Sequence, residues 1–300
     1  MNVAITGGTG FIGSHLARAL VSRGDFPRVL ARGINNRDDS IRRLTNASFT
    51  PVSMSDEKKL FQSFQGCDVV AHLAGIRYEP NTGDFEKTHV ESTIKVIHAA
   101  RKAGVSKIVY VSCQRARPKC FNKFYESKWE AEQLIRASEI DYTVLKPSIV
   151  FGRGDFFLTA IKRMLDKGSM VSSIGLFEKK INPVAVEDLI EILLAGLIEG
   201  HFSGETLNVE GPEALTFSEA VKRVGRVVKK SAVLVPSLVS MQFAKAQEEE
   251  KTTKEAILTR TLVRMIADGN QAPVDPCDKL PVEILPKRLF NDEQIIRALG

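Results

Sequence analysis

The sequence predicts an α/β protein built on a doubly wound parallel sheet with a smaller, interleaved C-terminal lobe. Three observations carry that expectation. Short β-branched runs alternate with amphipathic helical patterns through the first half of the chain, as in a parallel sheet covered by helices on both faces. Glycines recur every three residues in Thr6-Gly7-Gly8-Thr9-Gly10-Phe11-Ile12-Gly13, directly after a strand and directly before a helix. After Gly152 the alternation loosens into helices separated by turns.

In chain order, the apolar runs at 2–6, 28–31, 48–52, 68–73, 107–112 and 142–146 read as strands. The segments 11–22, 56–64, 85–103 and 122–137 carry apolar residues at three-and-four spacing and read as the crossover helices. Residues 1–150 are therefore expected to form the nucleotide-binding domain, with a returning segment near 181–195. Residues 151–300 are expected to form the smaller lobe, in which 182–186 and 205–210 read as isolated strands. The stretch 231–243 is apolar but holds Pro236, and 247–254 is almost wholly polar, so together they cannot span a bilayer. Packing on the small lobe accounts for 231–243, and an amphipathic lid or a surface for a protein partner is the alternative.

Composition narrows the function classes. With 300 residues, 43% of them hydrophobic and 26% charged, the chain can bury the core of one or two globular domains. Its net charge of +6 suits an anionic ligand, but the basic residues are scattered and form no stripe, so nucleic acid is not an expected partner. Cys67, Cys113, Cys120 and Cys277 have no ligand spacing and no histidine cluster beside them, which argues against a metal site or a disulfide framework. Met1 runs straight into Val3-Ala4-Ile5, leaving no charged leader, and the chain has no long uncharged stretch. The expected setting is the reducing cytoplasm.

The glycine loop carries the chemistry. Gly7 permits a tight turn, Gly10 lets the backbone approach a pyrophosphate, Gly13 lets the helix pack on the sheet, and the helix N-terminus supplies amide donors. A glycine turn with no ligand is the bland alternative. The site expected from this strand-loop-helix unit is a dinucleotide site, with Thr9, Phe11 and Ile12 completing the loop. At the end of the second strand, where a carboxylate would hold the adenosine ribose and repel a 2′-phosphate, the chain has Ala31-Arg32. A guanidinium can fork onto phosphate, so Arg32, helped by Arg37, predicts NADP(H) over NAD(H), with NAD(H) still possible. Arg32 stacked on the adenine or turned to solvent is the alternative.

These residues resemble the extended and atypical short-chain dehydrogenase/reductases, and most the group around the NAD(P)H-binding accessory subunit of respiratory complex I. The likeness runs through TGGTGFIG at 6–13, His72-Leu73-Ala74-Gly75, Ile108-Val109-Tyr110-Val111-Ser112, Tyr125-Glu126-Ser127-Lys128, the segment Lys146 to Gly152, Val186-Glu187-Asp188 and Thr206-Leu207-Asn208-Val209. It implies a Rossmann-type fold and assigns roles. Leu73, Ala74 and Gly75 would line the adenosine ribose, Met54 would lie near the adenine, and Lys128 would hold the nicotinamide ribose. Pro147 and Ile149 would flank the nicotinamide, and Ser112 belongs to the fifth-strand motif. Ser53 stands where the family has an aspartate. His89 stands where it has an asparagine and is given no role.

The catalytic set departs from the family. Hydride-transferring members place a tyrosine four residues before the lysine, whose charge lowers the phenol's pKa. Counting back from Lys128 gives Phe124, and Tyr125 is rotated by about 100° on an ideal helix. The position two residues beyond Ser112, which should be serine, is Gln114. The catalytic candidates are therefore Lys128 and Tyr125, acting on an unknown small-molecule substrate. An NADPH-dependent reductase of a small carbonyl compound is the leading expectation. A non-catalytic NADP(H)-binding subunit or redox sensor is the alternative, and an RNA-associated relative of the fold is a second.

Overall fold

In the computed structural model, which describes residues 1–32, 39–253, 256, 258–269 and 277–300, the alternation of strand and helix is realised in order. β1 (Asn2–Thr6), α1 (Phe11–Arg23), β2 (Phe26–Ala31), β3 (Ser48–Pro51), α2 (Glu57–Phe64), β4 (Val69–His72), α3 (Ser92–Ala103), β5 (Lys107–Val111), α4 (Lys123–Arg136) and β6 (Asp141–Pro147) come first. They are followed by β7 (Val150–Phe151), α5 (Phe156–Lys167), β8 (Met170–Ser172), β9 (Val184–Ala185), α6 (Val186–Leu197), β10 (Glu205–Val209) and α7 (Phe217–Val227). β11 (Val233–Val235), α8 (Val239–Thr252), α9 (Arg260–Asp268) and α10 (Asp292–Leu299) complete the chain. The helices start and stop where local chemistry directs. Asp56 and Asn122 accept the amides of Lys59 and Tyr125 as N-caps, and Gly24 closes α1 in the left-handed conformation that costs glycine least.

Two compact units result. The first holds Met1–Lys146, Leu189–Asn208 and residues 277–284; the second holds Pro147–Asp188, the described residues of 209–269 and Leu285–Gly300. The chain thus leaves the first unit after Lys146 and comes back to it at Leu189.

The first unit is built on a sheet of strand order β10-β6-β5-β4-β1-β2-β3. The neighbours from β3 to β6 all pair in parallel. β4 and β5 are buried at every residue, which is why they read as continuous apolar runs instead of alternating ones. Leu30, Val70, Ile108 and Val144 of the sheet share a core with Leu60, Phe64, Val96, Ala100, Ala131 and Ile135 of α2, α3 and α4. Strand order reverses between β1 and β4, so the carboxyl ends of these neighbours open a crevice at the topological switch point.

Four features depart from the sequence expectation. Residues 205–209 are not an isolated strand: β10 is the seventh strand of the main sheet, beside β6. It is also held by Asp278, whose amide donates to the Thr206 carbonyl and whose carboxylate accepts the Thr206 amide. β2 begins two residues early and includes Pro27. The missing N–H is tolerated because pairing with β3 starts only at Arg28. The expected helix 85–103 opens with a π turn, Glu86–Glu91, before α3. Ser92 and Thr93 donate their hydroxyls back to the carbonyls of Thr88 and His89 there. Fourth, the returning segment is Leu189–Asn208, not 181–195.

The second unit packs α5, α7, α9 and α10 around Phe151, Phe157, Phe217 and Phe290, with β7 paired to β9 and β8 to β11. Asp188, buried in the first turn of α6, accepts the amides of Lys287 and Arg288 and the Arg288 guanidinium. It ties the C-terminal segment to its own unit.

Candidate dinucleotide site

The loop after β1 is closed by its own backbone. Gly7 adopts φ +67°, and a Cβ there would meet the Ala74 backbone at 2.8 Å, so this position is restricted both by conformation and by the end of β4. A Cβ on Gly13 would lie 2.5 Å from the Gly7 carbonyl oxygen and 2.7 Å from the Gly8 Cα. Gly10 differs: its φ of −76° suits any residue, and the nearest atom to a Cβ would be the Gly7 oxygen at 3.0 Å. It is the N-cap of α1, makes no side-chain cap hydrogen bond, and the first turn holds no acidic residue. The first-turn amides and the helix dipole therefore face the loop with no carboxylate opposing an anion. This cradle fits a dinucleotide pyrophosphate. Thr9 is buried within the loop, while Phe11 and Ile12 are half-buried at the start of α1.

Thr6 joins the loop to β4. Its hydroxyl oxygen accepts the amides of Leu73 and Ala74, at 3.2 and 3.3 Å, so its proton goes to His72 Nδ1 at 2.7 Å. His72 Nε2–H then donates to Thr93, whose own hydroxyl donates to the His89 carbonyl. His72 is wholly buried, and that desolvation, aided by the nearby Lys128 charge, pushes its pKa down to about 3. It is a neutral strut that fixes Leu73 and Ala74 against Gly7.

His89, given no role from sequence, holds the other side of the same strand end. Its Nε2 accepts the Ile76 amide at 3.1 Å, and its Nδ1–H donates to Ser127, whose hydroxyl donates to the Phe124 carbonyl. Burial, then the Lys128 charge, holds it neutral. The exposed Gly75 lies between them: a Cβ there would be 3.3 Å from His89 Nε2 and 3.8 Å from Lys128 Nζ.

Lys128 is buried, and its ammonium donates to the Val111 carbonyl at 2.9 Å and to the Tyr110 phenol oxygen at 3.2 Å. Desolvation brings its pKa down to about 8. One turn earlier stands Phe124, packed edge-on against Phe85 and His89. Tyr125 is 1% exposed and has the Arg117 guanidinium over its ring, 5.3 Å from the centroid. Gln114 is buried. The Ser112 hydroxyl is taken by Glu132 at 2.5 Å and its amide by the Leu145 carbonyl. Glu132, fully buried, also receives Lys146 Nζ and Arg136, both at 3.1 Å, beneath the carboxyl end of β5.

Arg32 is exposed one residue beyond β2, and Met54 is half-buried after β3. Arg37 lies outside the described residues. Pro147 ends β6, and Ile149 is part of the second unit's core. Sequence reasoning passed over His72, Tyr110 and Glu132. Each sits in a segment that reads as apolar strand or ordinary helix surface, and only the tertiary pairing reveals its partner.

A family model described as NAD(P)H-binding matches residues 7–155. The chain is 25% identical over 243 residues to the mitochondrial NADH-ubiquinone oxidoreductase 40 kDa subunit of Neurospora crassa, covering 75% of this chain and 63% of that protein. It is 28% identical over 207 residues to the ceramide reductase of Caulobacter vibrioides, covering 66% and 63%. The chain thus spans less than two thirds of the length of both relatives. Among solved structures, the Thermotoga maritima UDP-glucose 4-epimerase has the same fold, with a TM-score of 0.73 at 20% identity, covering 100% of this chain and 97% of the epimerase. Among the described residues, no helix is long and apolar enough to cross a membrane. Residues 7–155 match an NAD(P)H-binding domain, and the chain is similar to the atypical short-chain dehydrogenase/reductases around the complex I accessory subunit.

Proposed function

We propose that this chain is an NADPH-dependent reductase of a carbonyl compound, with NADP(H) preferred over NAD(H). The observation that carries the reading is Lys128: a buried ammonium with its pKa brought to about 8, beside the exposed backbone of Gly75. When bound, the nicotinamide supplies the hydride. The residues of the loop, Gly7, Thr9, Gly10, Phe11, Ile12 and Gly13, hold the pyrophosphate through backbone amides. Leu73, Ala74 and Gly75 receive a ribose, and Met54 receives the adenine. Arg32, which stands at the end of β2 where a carboxylate would hold the ribose, meets the 2′-phosphate. Lys128 orients the nicotinamide ribose and holds an exchangeable proton on Nζ near neutral pH. The Caulobacter relative is named a reductase, which supports the reaction class.

A second reading, a non-catalytic NADP(H)-binding subunit with a protein partner on its C-terminal lobe, is favoured by one observation. Phe124, where a phenol would serve hydride transfer, is firmly packed in an aromatic cluster. The name of the Neurospora relative supports it. Cys67, Cys113, Cys120 and Cys277 carry free thiols, which supports a reducing setting such as the cytoplasm.

Titration of NADPH and NADH into the protein, followed by NADPH oxidation over a panel of ketones and aldehydes, tests both readings. The reductase reading expects tighter binding of NADPH than NADH, a loss of that preference in Arg32→Ala, and turnover that falls in Lys128→Met. Tight NADPH binding with no turnover on any carbonyl would instead establish the binding subunit. Equal affinities for the two dinucleotides would overturn the role of Arg32.

A further inference from the structure

We propose that the second unit carries a docking strip for the surface of an anionic phospholipid bilayer, formed along β8 and β11 and the turns that leave them. In this parallel pair Met170 stands beside Val233 and Ser172 beside Val235, while Val171 and Leu234 between them pack on the unit's core. The two-residue period of a strand therefore turns Met170, Val233 and Val235 outward. Met170 is 73% exposed and Val233 64%. Past the strands the chains stay together, because Gly175 bridges Ser237. Phe177, 94% exposed, and Leu238, 49% exposed, consequently emerge near one another. Met241 extends the strip one turn into α8, whose Gln242 and Ala246 face inward. Isolated exposed apolar residues are ordinary on a folded protein, but a contiguous run of them marks an interaction surface.

Charge selects the occupant. Lys229 and Lys230 precede β11, Lys167 precedes β8, and the exposed Lys179 and Lys180 follow Phe177. The carboxylates nearby offset this charge only in part, with Glu219 feeling the charge of Lys180. Asp166 is shared between Lys162 and Lys230, at 2.9 and 2.6 Å, and Glu249 meets Lys167 only at 4.0 Å. Glu178 accepts the Ser218 amide, and Glu250 is engaged by Arg260. An apolar strip flanked at both ends by cations matches a surface of uniform negative charge over an apolar interior: the side chains insert, and the lysines reach the headgroups. A second copy of the chain would bring these lysines against one another.

Flotation of the full chain with phosphatidylcholine vesicles, with and without about one third phosphatidylglycerol, tests the strip. The protein should float with the anionic vesicles, less so at high salt and far less with neutral ones. Met170→Ser/Phe177→Ser and Lys179→Glu/Lys180→Glu should each weaken binding by about tenfold or more, with thermal unfolding unchanged because all four side chains are exposed. Failure to float with anionic vesicles, equal binding to neutral ones, or unchanged binding by both variants would overturn the proposal. So would a concentration-dependent dimer in sedimentation velocity that Phe177→Ser abolishes, which would make the strip an interface between copies.

Discussion

The ammonium of Lys128 lies 3.2 Å from the phenol oxygen of Tyr110 and 4.8 Å from the centre of its ring. The tyrosine that serves this lysine therefore comes from β5 beneath it, not from the preceding turn of α4, where Phe124 stands. The arrangement reverses the usual direction of help. A phenol beside an exposed lysine is made more acidic, whereas burial of Tyr110, with Glu132 nearby, drives its phenol well above its ordinary pKa. Tyr110 stays protonated and acts as an acceptor that steadies the cation, through both its oxygen and the face of its ring.

Tyr110→Phe keeps the ring and removes the acceptor. Charged Lys128 then loses a hydrogen bond that neutral lysine needs less, so its pKa should fall below about 8. The pH dependence of NADPH affinity checks this. Its alkaline limit should move to lower pH, with a stability loss on the order of 1 kcal/mol. An unmoved limit would mean that the Val111 carbonyl alone holds the cation.

Lys128→Met should separate binding from folding. The folded pKa of about 8 lies below the ordinary 10.5, so between those values the unfolded chain holds a proton that the folded one has released. Wild-type stability from this group therefore rises as pH rises from 8 to 10.5, and below 8 the full cost of burying the charge is present. The variant should be more stable than wild type at pH 7 by up to about 3 kcal/mol, with the gap closing towards pH 10.5. It should also bind NADPH more weakly. Urea unfolding at the two pH values, alongside dinucleotide titration, measures both effects.

How far the site was legible in the sequence follows from the range of the interactions. The glycine loop, the Asn122 cap of α4 and the apolar strands are local patterns, and each folds as its residue types require. Lys128 was named through the resemblance that Tyr125-Glu126-Ser127-Lys128 carries. Tyr110 was not, because in Lys107–Val111 an aromatic residue reads as core, and core it is; only the packing of α4 on β5 makes it a partner. His89 was hidden for a different reason, since the π turn that shapes its surroundings has no sequence period of its own. Glu132 reads as one of several glutamates on a helix, until Lys146 and Arg136 are brought to it from the sheet and the next turn.

His72 should make the fold sensitive to acid. Its folded pKa of about 3 lies below the ordinary 6.5, so as pH falls through that interval the unfolded state gains a proton that the folded state refuses. Stability is lost from 6.5 downward, by about 1.4 kcal/mol per pH unit for this group. His72→Gln, which keeps polar contacts to Thr6 and Thr93, should be less stable than wild type at pH 7 but lose stability on acidification with a slope shallower by that amount. Denaturant unfolding at pH 6 and pH 4.5 compares the slopes, and equal slopes would show that His72 is protonated in the folded protein.

Glu132→Gln tests the buried ion group under β5. The substitution leaves Lys146, which has no exposed surface, with a neutral amide in place of its counter-ion, and it weakens the hold on the Ser112 hydroxyl. Breaking such a pair by removing one partner costs about 3–5 kcal/mol. The expected result is a large fall in the midpoint of thermal unfolding, partly recovered in Glu132→Gln/Lys146→Met, where no fully buried charge is left uncompensated and only the partly exposed Arg136 has lost its carboxylate.

The glycine loop makes the sharpest contrast, because Gly10 and Gly13 are required for different reasons. A methyl group on Gly13 would have to occupy the space of the Gly7 carbonyl oxygen and the Gly8 Cα, so Gly13→Ala must displace the loop from the helix. It should destabilise the protein by about 1–3 kcal/mol and lose dinucleotide affinity as a secondary effect. Gly10 has an ordinary backbone conformation, and a Cβ there is crowded only by the Gly7 oxygen at 3.0 Å, so Gly10→Ala should fold with an unfolding midpoint close to wild type. What its methyl group fills is the approach to the first-turn amides of α1, and NADPH affinity should drop by at least about tenfold. Thermal unfolding without ligand, paired with NADPH titration, reads the two effects independently. If Gly10→Ala bound NADPH as wild type does, the pyrophosphate could not lie against this turn, and the role of the loop would be confined to joining β1 to α1.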